Sequence, residues 1–177
     1  TAGTAITTGD YNTLMGYRAG EYLNTGGNNT FIGRDAGRMA YKVTKSIGIG
    51  LSALEYIGTG GVITSEKSVG IGHEAGKYAS GSYNTFIGGE AGRGNSSTPY
   101  SSGQYNTAVG HNALTAFTTG DSNVAIGRYA GDAITTGTGN TIVGAYAGGS
   151  IQGVSTGTYI GYSCAAGTTK TAGQDVC

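Results

Sequence analysis

The groups in this chain that could do chemistry are few, and each sits in the same kind of local sequence. His73 and His111 both follow a glycine that is itself preceded by an aliphatic residue, and Glu74 and Glu90 both lie two residues after such a glycine. Two histidines are half of a zinc site, which needs its ligands to converge at about 2 Å. Two carboxyls held about 5–5.5 Å apart would be the arrangement of a retaining glycosidase. Gly70-Ile71-Gly72-His73-Glu74-Ala75 also fits the G-x-G-x-x-A form of the dinucleotide fingerprint, which works only where a helix follows to meet the pyrophosphate.

All three readings weaken when the glycines are followed along the chain. A unit G-x-x-N-T-h-h-G-x-x-A-G, with h hydrophobic, recurs nine times. It is clearest at Gly81-Ser82-Tyr83-Asn84-Thr85-Phe86-Ile87-Gly88-Gly89-Glu90-Ala91-Gly92. The central glycines are Gly16, Gly33, Gly50, Gly72, Gly88, Gly110, Gly127, Gly144 and Gly161, with steps of 17, 17, 22, 16, 22, 17, 17 and 17 residues. Such a period means one small unit stacked on copies of itself, and a molecule that grows along one axis. The histidines are then two rungs apart, about 10 Å at the spacing of β-strands, too far to share a metal. Glu74 and Glu90 share their column with Arg18, Ser52, Asn112 and Tyr129, so nothing marks a catalytic pair. No G-x-S-x-G elbow occurs. We expect no catalytic residue, no metal, no cofactor and no enzyme activity.

Composition narrows the class further. Glycine supplies 36 of 177 residues and proline one, without a G-x-y triplet, which excludes collagen. Aliphatic residues at fixed register argue against disorder. Ten basic and ten acidic residues cancel, leaving no basic stripe for nucleic acid. No apolar run approaches the ~20 residues of a membrane-spanning helix. Ala5-Ile6-Thr7-Thr8-Gly9 repeats as Ala133-Ile134-Thr135-Thr136-Gly137, so the sequence starts inside a repeat and is expected to be a processed product or part of a longer protein. Cys164 and Cys177 could pair with each other, pair between chains or stay reduced. Asn28-Asn29-Thr30 and Asn95-Ser96-Ser97 fit the N-glycosylation pattern, the second in a polar insertion.

Each repeat reads as one coil when the central glycine is set as position 0. Position −1 is always aliphatic or Met: Met15, Ile32, Ile49, Ile71, Ile87, Val109, Ile126, Val143 and Ile160. Position −3 is always β-branched and position −2 varies, from Phe31 to Gly48 to Tyr159. This alternation is that of a β-strand with one committed face, and it predicts that positions −1 and −3 fill the core. Position +3 is Ala in eight repeats and Cys164 in the ninth, which predicts a narrow interior. Position +7 (Leu23, Ala40, Ile57, Ala79, Phe117, Ile134, Ile151) predicts a second short strand on the opposite wall. Asn at position −4 in six repeats predicts a stacked amide ladder. The expected fold is all-β: a parallel β-solenoid, or β-roll, of about nine coils of ~17 residues with two short strands each. It forms a single domain over 1–167, with insertions near 55–64 and 93–102 and a C-terminal tail at 168–177.

Ser122-Asn123-Val124-Ala125-Ile126-Gly127-Arg128-Tyr129-Ala130 and Lys67-Ser68-Val69-Gly70-Ile71-Gly72-His73-Glu74-Ala75 resemble the repeats of YadA-like head domains in trimeric autotransporter adhesins. The N-T-h-h-G-x-x-A-G form is even more similar to repeats of bacteriophage tail fibres. The resemblance covers nearly the whole chain and implies a left-handed β-roll with three chains side by side. It further implies an extracellular, non-enzymatic structural or adhesive segment of a virion fibre or cell-surface appendage. The alternative is a subunit that polymerises head to tail through uncapped solenoid ends. Expected partners are copies of the chain itself and a cell-surface glycan or protein receptor, not nucleic acid and not a membrane interior. Receptor contact is assigned to variable outward positions: Tyr17, Arg34, His73, His111, Arg128, Tyr129, Tyr146 and Tyr162. Ice binding by a threonine array is set aside because the −3 threonines read as inward.

Overall fold

The computed structural model describes residues 1–59, 65–97 and 100–165. Among them every regular element is a strand of three residues: β1 Thr13–Met15, β2 Thr30–Ile32, β3 Ile47–Ile49, β4 Val69–Ile71, β5 Thr85–Ile87, β6 Thr107–Val109, β7 Val124–Ile126, β8 Thr141–Val143 and β9 Thr158–Ile160. They form one parallel sheet in sequence order. Like positions pair throughout: Thr13 with Thr30, Ile47 with Val69 across a 22-residue step, and Val69 with Thr85 across the 16-residue step. The chain is a β-solenoid, each turn carrying one strand. Nine rungs at about 4.8 Å give a rod on the order of 40 Å long.

The coil closes through bends that the sequence pattern hides. Positions −5, +2 and +4 of the rungs all have positive φ, including non-glycine residues such as Lys67, Tyr105, Glu74, Tyr129 and Leu54. Short loops of left-handed conformation reverse the chain without a long connection. Position 0 needs glycine for two reasons. Its φ lies near +130°, and a Cβ on Gly33 would sit 2.4 Å from the carbonyl oxygen of Gly50 on the next rung. The expected second strand at position +7 does not form. Rungs still exchange backbone bonds there, as Tyr22 N–H to Arg38 O at 2.9 Å. The left-handed bend at +4 leaves this wall as turns among the described residues, with the isolated bridge Ala79–Ser101.

The expected core is corrected by the side-chain directions. Met15, Ile32, Ile49, Ile71, Ile87, Val109, Ile126, Val143 and Ile160 do not fill the coil. They point outward and are exposed or half-buried, with Ile126 at 41% and Ile160 at 57%. Position −3 faces the same way. The inward residue of each strand is the variable one at −2, half-buried at Leu14 in β1 and buried in β2 to β9, with Phe31, Phe86, Ile142 and Tyr159 at 0%. The cause is the asparagine at −4, which turns inward to bond its neighbours, so that strand alternation carries −2 inward and −3 and −1 outward.

Position −2 varies because successive rungs interdigitate. Where it is Phe86, position +4 is Gly92, whose Cβ would lie 2.1 Å from the Phe86 ring. Where it is Gly70, the space is taken by Leu54, and a Cβ on Gly70 would meet Leu54 Cγ at 2.8 Å. The +3 alanines from Ala19 to Ala147 and the +7 column from Leu23 to Ile151 are buried as expected. The asparagines form a buried polar spine beside this core. Asn106 Oδ1 accepts the Asn123 backbone N–H at 3.0 Å and its Nδ2 donates to Gly120 O at 2.8 Å. In the middle rungs Ser46 and Ser68 substitute, with Ser46 Oγ accepting from Ser68 N–H at 3.2 Å.

Residues 1–9 add part of a coil below β1, bonding through Gly3 N–H to Ala19 O and Thr7 N–H to Asn24 O, both at 3.0 Å. The expected insertions lie partly, and the C-terminal tail with Cys177 wholly, outside the described residues.

Candidate functional site

The outer face of the sheet runs the length of the nine rungs. Positions −3 and −1 present Thr, Val and Ile in two columns over nine rungs. Three residues across and nine rungs long make a flat strip of about 10 Å by 40 Å. Contiguous apolar strips of a few hundred Å² on a soluble chain mark interaction surfaces. The −1 column is aliphatic or Met on every rung, beside a −3 column that is Thr on six rungs and Ile47, Val69 or Val124 on the others, and neither column contributes to the core. The strip carries no charged residue.

Polar chemistry is displaced to the neighbouring walls. On the +2 and +5 columns Glu21, Arg38, Glu55, Lys77, Glu74, Arg93 and Glu90 form one ladder of alternating sign. Its contacts include Arg38 Nε to Glu21 Oε2 at 2.9 Å, Lys77 Nζ to Glu74 Oε1 at 2.8 Å and Arg93 Nη1 to Glu90 Oε2 at 2.9 Å. Burial alone would raise the Glu74 pKa, but its hydrogen bond to Lys77 and the charges of Lys77, Arg93 and His73 outweigh that and hold it below the usual value. Lys77 is raised in turn: burial opposes its charge, and Glu74 and Glu55 more than offset it. Glu74 and Glu90 are therefore both engaged by cations, with Arg93 between them. The segment after Gly70-Ile71-Gly72 continues as turns where a nucleotide fold needs a helix. Among the described residues no group of three His, Cys, Asp or Glu could hold a metal, and no helix is long and apolar enough to cross a membrane.

The residues expected to contact a receptor divide into two groups. Tyr17, Arg34, His73, His111, Arg128 and Tyr162 are all exposed at position +1. Only the C-terminal ones cluster. Tyr129 and Tyr146 stack at 5.4 Å with an 8° interplanar angle, and the Arg128 guanidinium lies 4.9 Å from the Tyr146 ring centroid. His111 meets Tyr129 edge-on at 5.6 Å, and Tyr162 meets Tyr146 edge-on at 5.9 Å. Tyr17, Arg34 and His73 sit on earlier rungs, with Arg34 paired to Asp35 at 3.3 Å. Of the two glycosylation candidates, Asn28 precedes a threonine locked in β2, whereas Asn95 is exposed and its Oδ1 accepts the Ser97 N–H at 3.0 Å. Cys164 is disulfide-bonded.

Sequence reasoning missed two further aromatic groups. Tyr56, Tyr78 and Tyr100 cluster with centroids 5.1–5.8 Å apart. Tyr83 and Tyr105 stack at 4.9 Å and 7°. A cleft of about 320 Å³ is lined by Ser80, Gly81, Ser82, Ser102, Gln104, Thr119 and Asp121 and by neither of these tyrosines. Both tyrosines occupy position −5, so the repeat register alone would have paired them.

Fold and surface together define a parallel β-solenoid with a packed interior, charged and aromatic side walls and one bare apolar sheet face. No family model, curated protein or solved structure matches the chain.

Proposed function

We propose that this protein is a non-enzymatic structural segment of an extracellular fibre, built from three copies packed side by side through their sheet faces. The single observation that carries this reading is the uniform outward column of Ile, Val and Met at position −1. A repeat keeps a residue type constant at a solvent-facing position only if something outside the coil demands it, and a second flat apolar face of the same kind meets that demand. The columns run parallel to the rod, so copies sharing an axis along the rod meet rung against rung. The resemblance to adhesin heads and tail-fibre repeats supports the same assembly and an adhesive or mechanical role outside the cell. Head-to-tail polymerisation is less favoured because the exposed apolar residues lie on the side of the rod, not at its ends.

Ice binding returns as the rival for this face, since the threonines at −3 point outward after all. Ile47, Val69 and Val124 interrupt them, and the −1 column holds no threonine, which favours protein over ordered water. Light scattering on the purified chain decides the matter. A mass of three chains is expected, with electron microscopy showing discrete rods. A monomer would overturn the assembly, and a monomer that shapes ice crystals would give the face to ice.

A further inference from the structure

We propose that Arg128 and the tyrosines it touches form a site for an acidic sugar, a pyranose ring bearing a carboxylate. The chain has five arginines, and four of them are ion-paired: Arg18 and Arg34 with Asp35, Arg38 with Glu21 and Arg93 with Glu90. Arg128 alone has no carboxylate partner among the described residues. Asp132 of the same rung does not reach it, since what acts on that carboxyl is burial and the backbone N–H groups of Asp132 and Ala133. The guanidinium is held in place all the same. Its Cζ lies 5.4 Å from the Tyr129 centroid and 4.9 Å from that of Tyr146, and these two rings stack at 5.4 Å and 8°. Near-equal distances place it beside the stack, not above either outer face. Arg128 is exposed, so its N–H fork stays open.

Around this cation the chain supplies phenol groups and one bare ring. Tyr162 meets Tyr146 at 5.9 Å and 76° and is 77% exposed, leaving most of its ring to solvent. Arg128 and Tyr162 thus both contact Tyr146, which brings the unpaired cation and the bare ring to one side chain. Positions +1 and +2 of rungs six to nine hold no Asp or Glu and no second Lys or Arg. A planar carboxylate matches the guanidinium fork with two parallel bonds. A phosphate dianion would call for a second cation. A pyranose adds C–H groups to lie on the Tyr162 ring and hydroxyls for the phenols. An acidic side chain of a protein brings the carboxylate without that ring. The pockets that seat protein hot spots are also desolvated, whereas Arg128 and Tyr162 stand exposed.

The inference rests on the adhesive role proposed above and not on the number of copies, because every contact it uses lies within one chain. Saturation-transfer NMR on the full chain therefore tests it separately from the mass measurement. Methyl β-glucuronide and methyl α-galacturonide are the probes, compared with methyl β-glucoside, acetate and N-acetylaspartate amide. At least one uronide is expected to bind with a Kd in the millimolar range, the weak affinity that an exposed ion pair supports. It should bind about tenfold or more tighter than any of the three comparison compounds. Arg128→Gln should abolish that binding, whereas Arg34→Gln, at the same position of a distant rung, should leave it unchanged. Ala145→Glu gives the sharpest result. Ala145 holds position +1 on the rung after Arg128, where the Tyr146 N–H donates to Arg128 O at 2.9 Å. A glutamate there offers Arg128 an internal partner and should block the uronide with the circular dichroism of the parent kept. No uronide binding, equal affinity for the neutral sugar or acetate, or binding that survives Ala145→Glu would each overturn the assignment. Equal or tighter binding of the aspartate derivative would overturn it in favour of a protein partner.

Discussion

Asn123 Oδ1 accepts two hydrogen bonds from Asn140, one from the backbone N–H at 3.0 Å and one from Nδ2 at 2.9 Å, while Asn123 Nδ2 donates to Gly137 O at 2.8 Å. Both residues are fully buried. Asn123→Ala leaves the Asn140 backbone N–H and the Gly137 carbonyl without partners in the interior, while Asn140 Nδ2 keeps its bond to Val154 O, and each orphan costs about 1–3 kcal/mol. We expect a loss of about 2–6 kcal/mol, read as a lower urea midpoint. Asn123→Ser should lose less, because Ser46 and Ser68 show that a hydroxyl can take the next N–H.

Leu54 supplies the second prediction. It sits in the left-handed region at φ 51° and fills the space left by Gly70 and Gly76. Leu54→Gly relieves about 1–2 kcal/mol of backbone strain but removes a buried leucine. A cavity of that kind costs about 2–5 kcal/mol, so the cavity wins and the variant should be less stable by about 1–3 kcal/mol. Gly92→Ala should fail in the opposite sense, by forcing a methyl into the Phe86 ring. An unchanged urea midpoint in both would mean that the interior is not interdigitated as described.

Much of the architecture was legible in the sequence because a repeat fixes register before any contact is known. The strands fall at −3 to −1, the +3 alanines and the +7 column point inward, and the insertions do not disturb the pairing across Ile47–Val69 or Thr85–Thr107. Sidedness is not legible in constancy alone, since Ile87 and Ile126 are as invariant in type as core residues yet face outward. The asparagine column held the correcting signal. An amide ladder at Asn106, Asn123 and Asn140 is cohesive only inside, and positions −4 and −2 share a strand face. The second strand does not form because the left-handed bend at +4 interrupts the extended run, made by glycine at Gly20 and Gly37 but equally by Leu54 and Leu114, so the residue type alone does not mark it. The cleft lined by Ser80, Ser102 and Asp121 is not legible in the sequence because its parts come from three rungs.

The charged wall predicts an acid limb. The Glu74 carboxyl has its pKa depressed in the folded state, so its contribution to stability is present above the unfolded carboxylate value of about 4.3 and is lost as pH falls through the lower folded value. Lys77, raised, contributes below its unfolded value and loses that contribution only as pH rises through the higher folded one. The urea midpoint should therefore be flat across neutral pH and fall below about pH 4. Both side chains are partly exposed, so the pair is worth no more than about 1 kcal/mol. Glu74→Gln should lower the neutral plateau slightly and shrink the acid limb. An acid limb unchanged in that variant would place it elsewhere in the ladder.

Ile126 and Ala125 are neighbours on β7 that face opposite ways, and that contrast tests sidedness and assembly together. Ala125 is fully buried, so Ala125→Asp places an unpaired carboxylate in the core and should prevent folding. Ile126→Asp places the same group on the open sheet face, where water solvates it in a single chain. The isolated coil should lose only about 1 kcal/mol, chiefly from the poor strand preference of Asp. Between packed sheet faces the same carboxylate is unpaired and dehydrated, and association should be lost. Ile126→Asp is thus expected to give a folded monomer, with the circular dichroism of the parent and a third of its mass by light scattering. If it instead unfolds as Ala125→Asp does, the −1 column belongs to the core and no bare face exists. If it folds and keeps the parent's mass, copies meet through another surface.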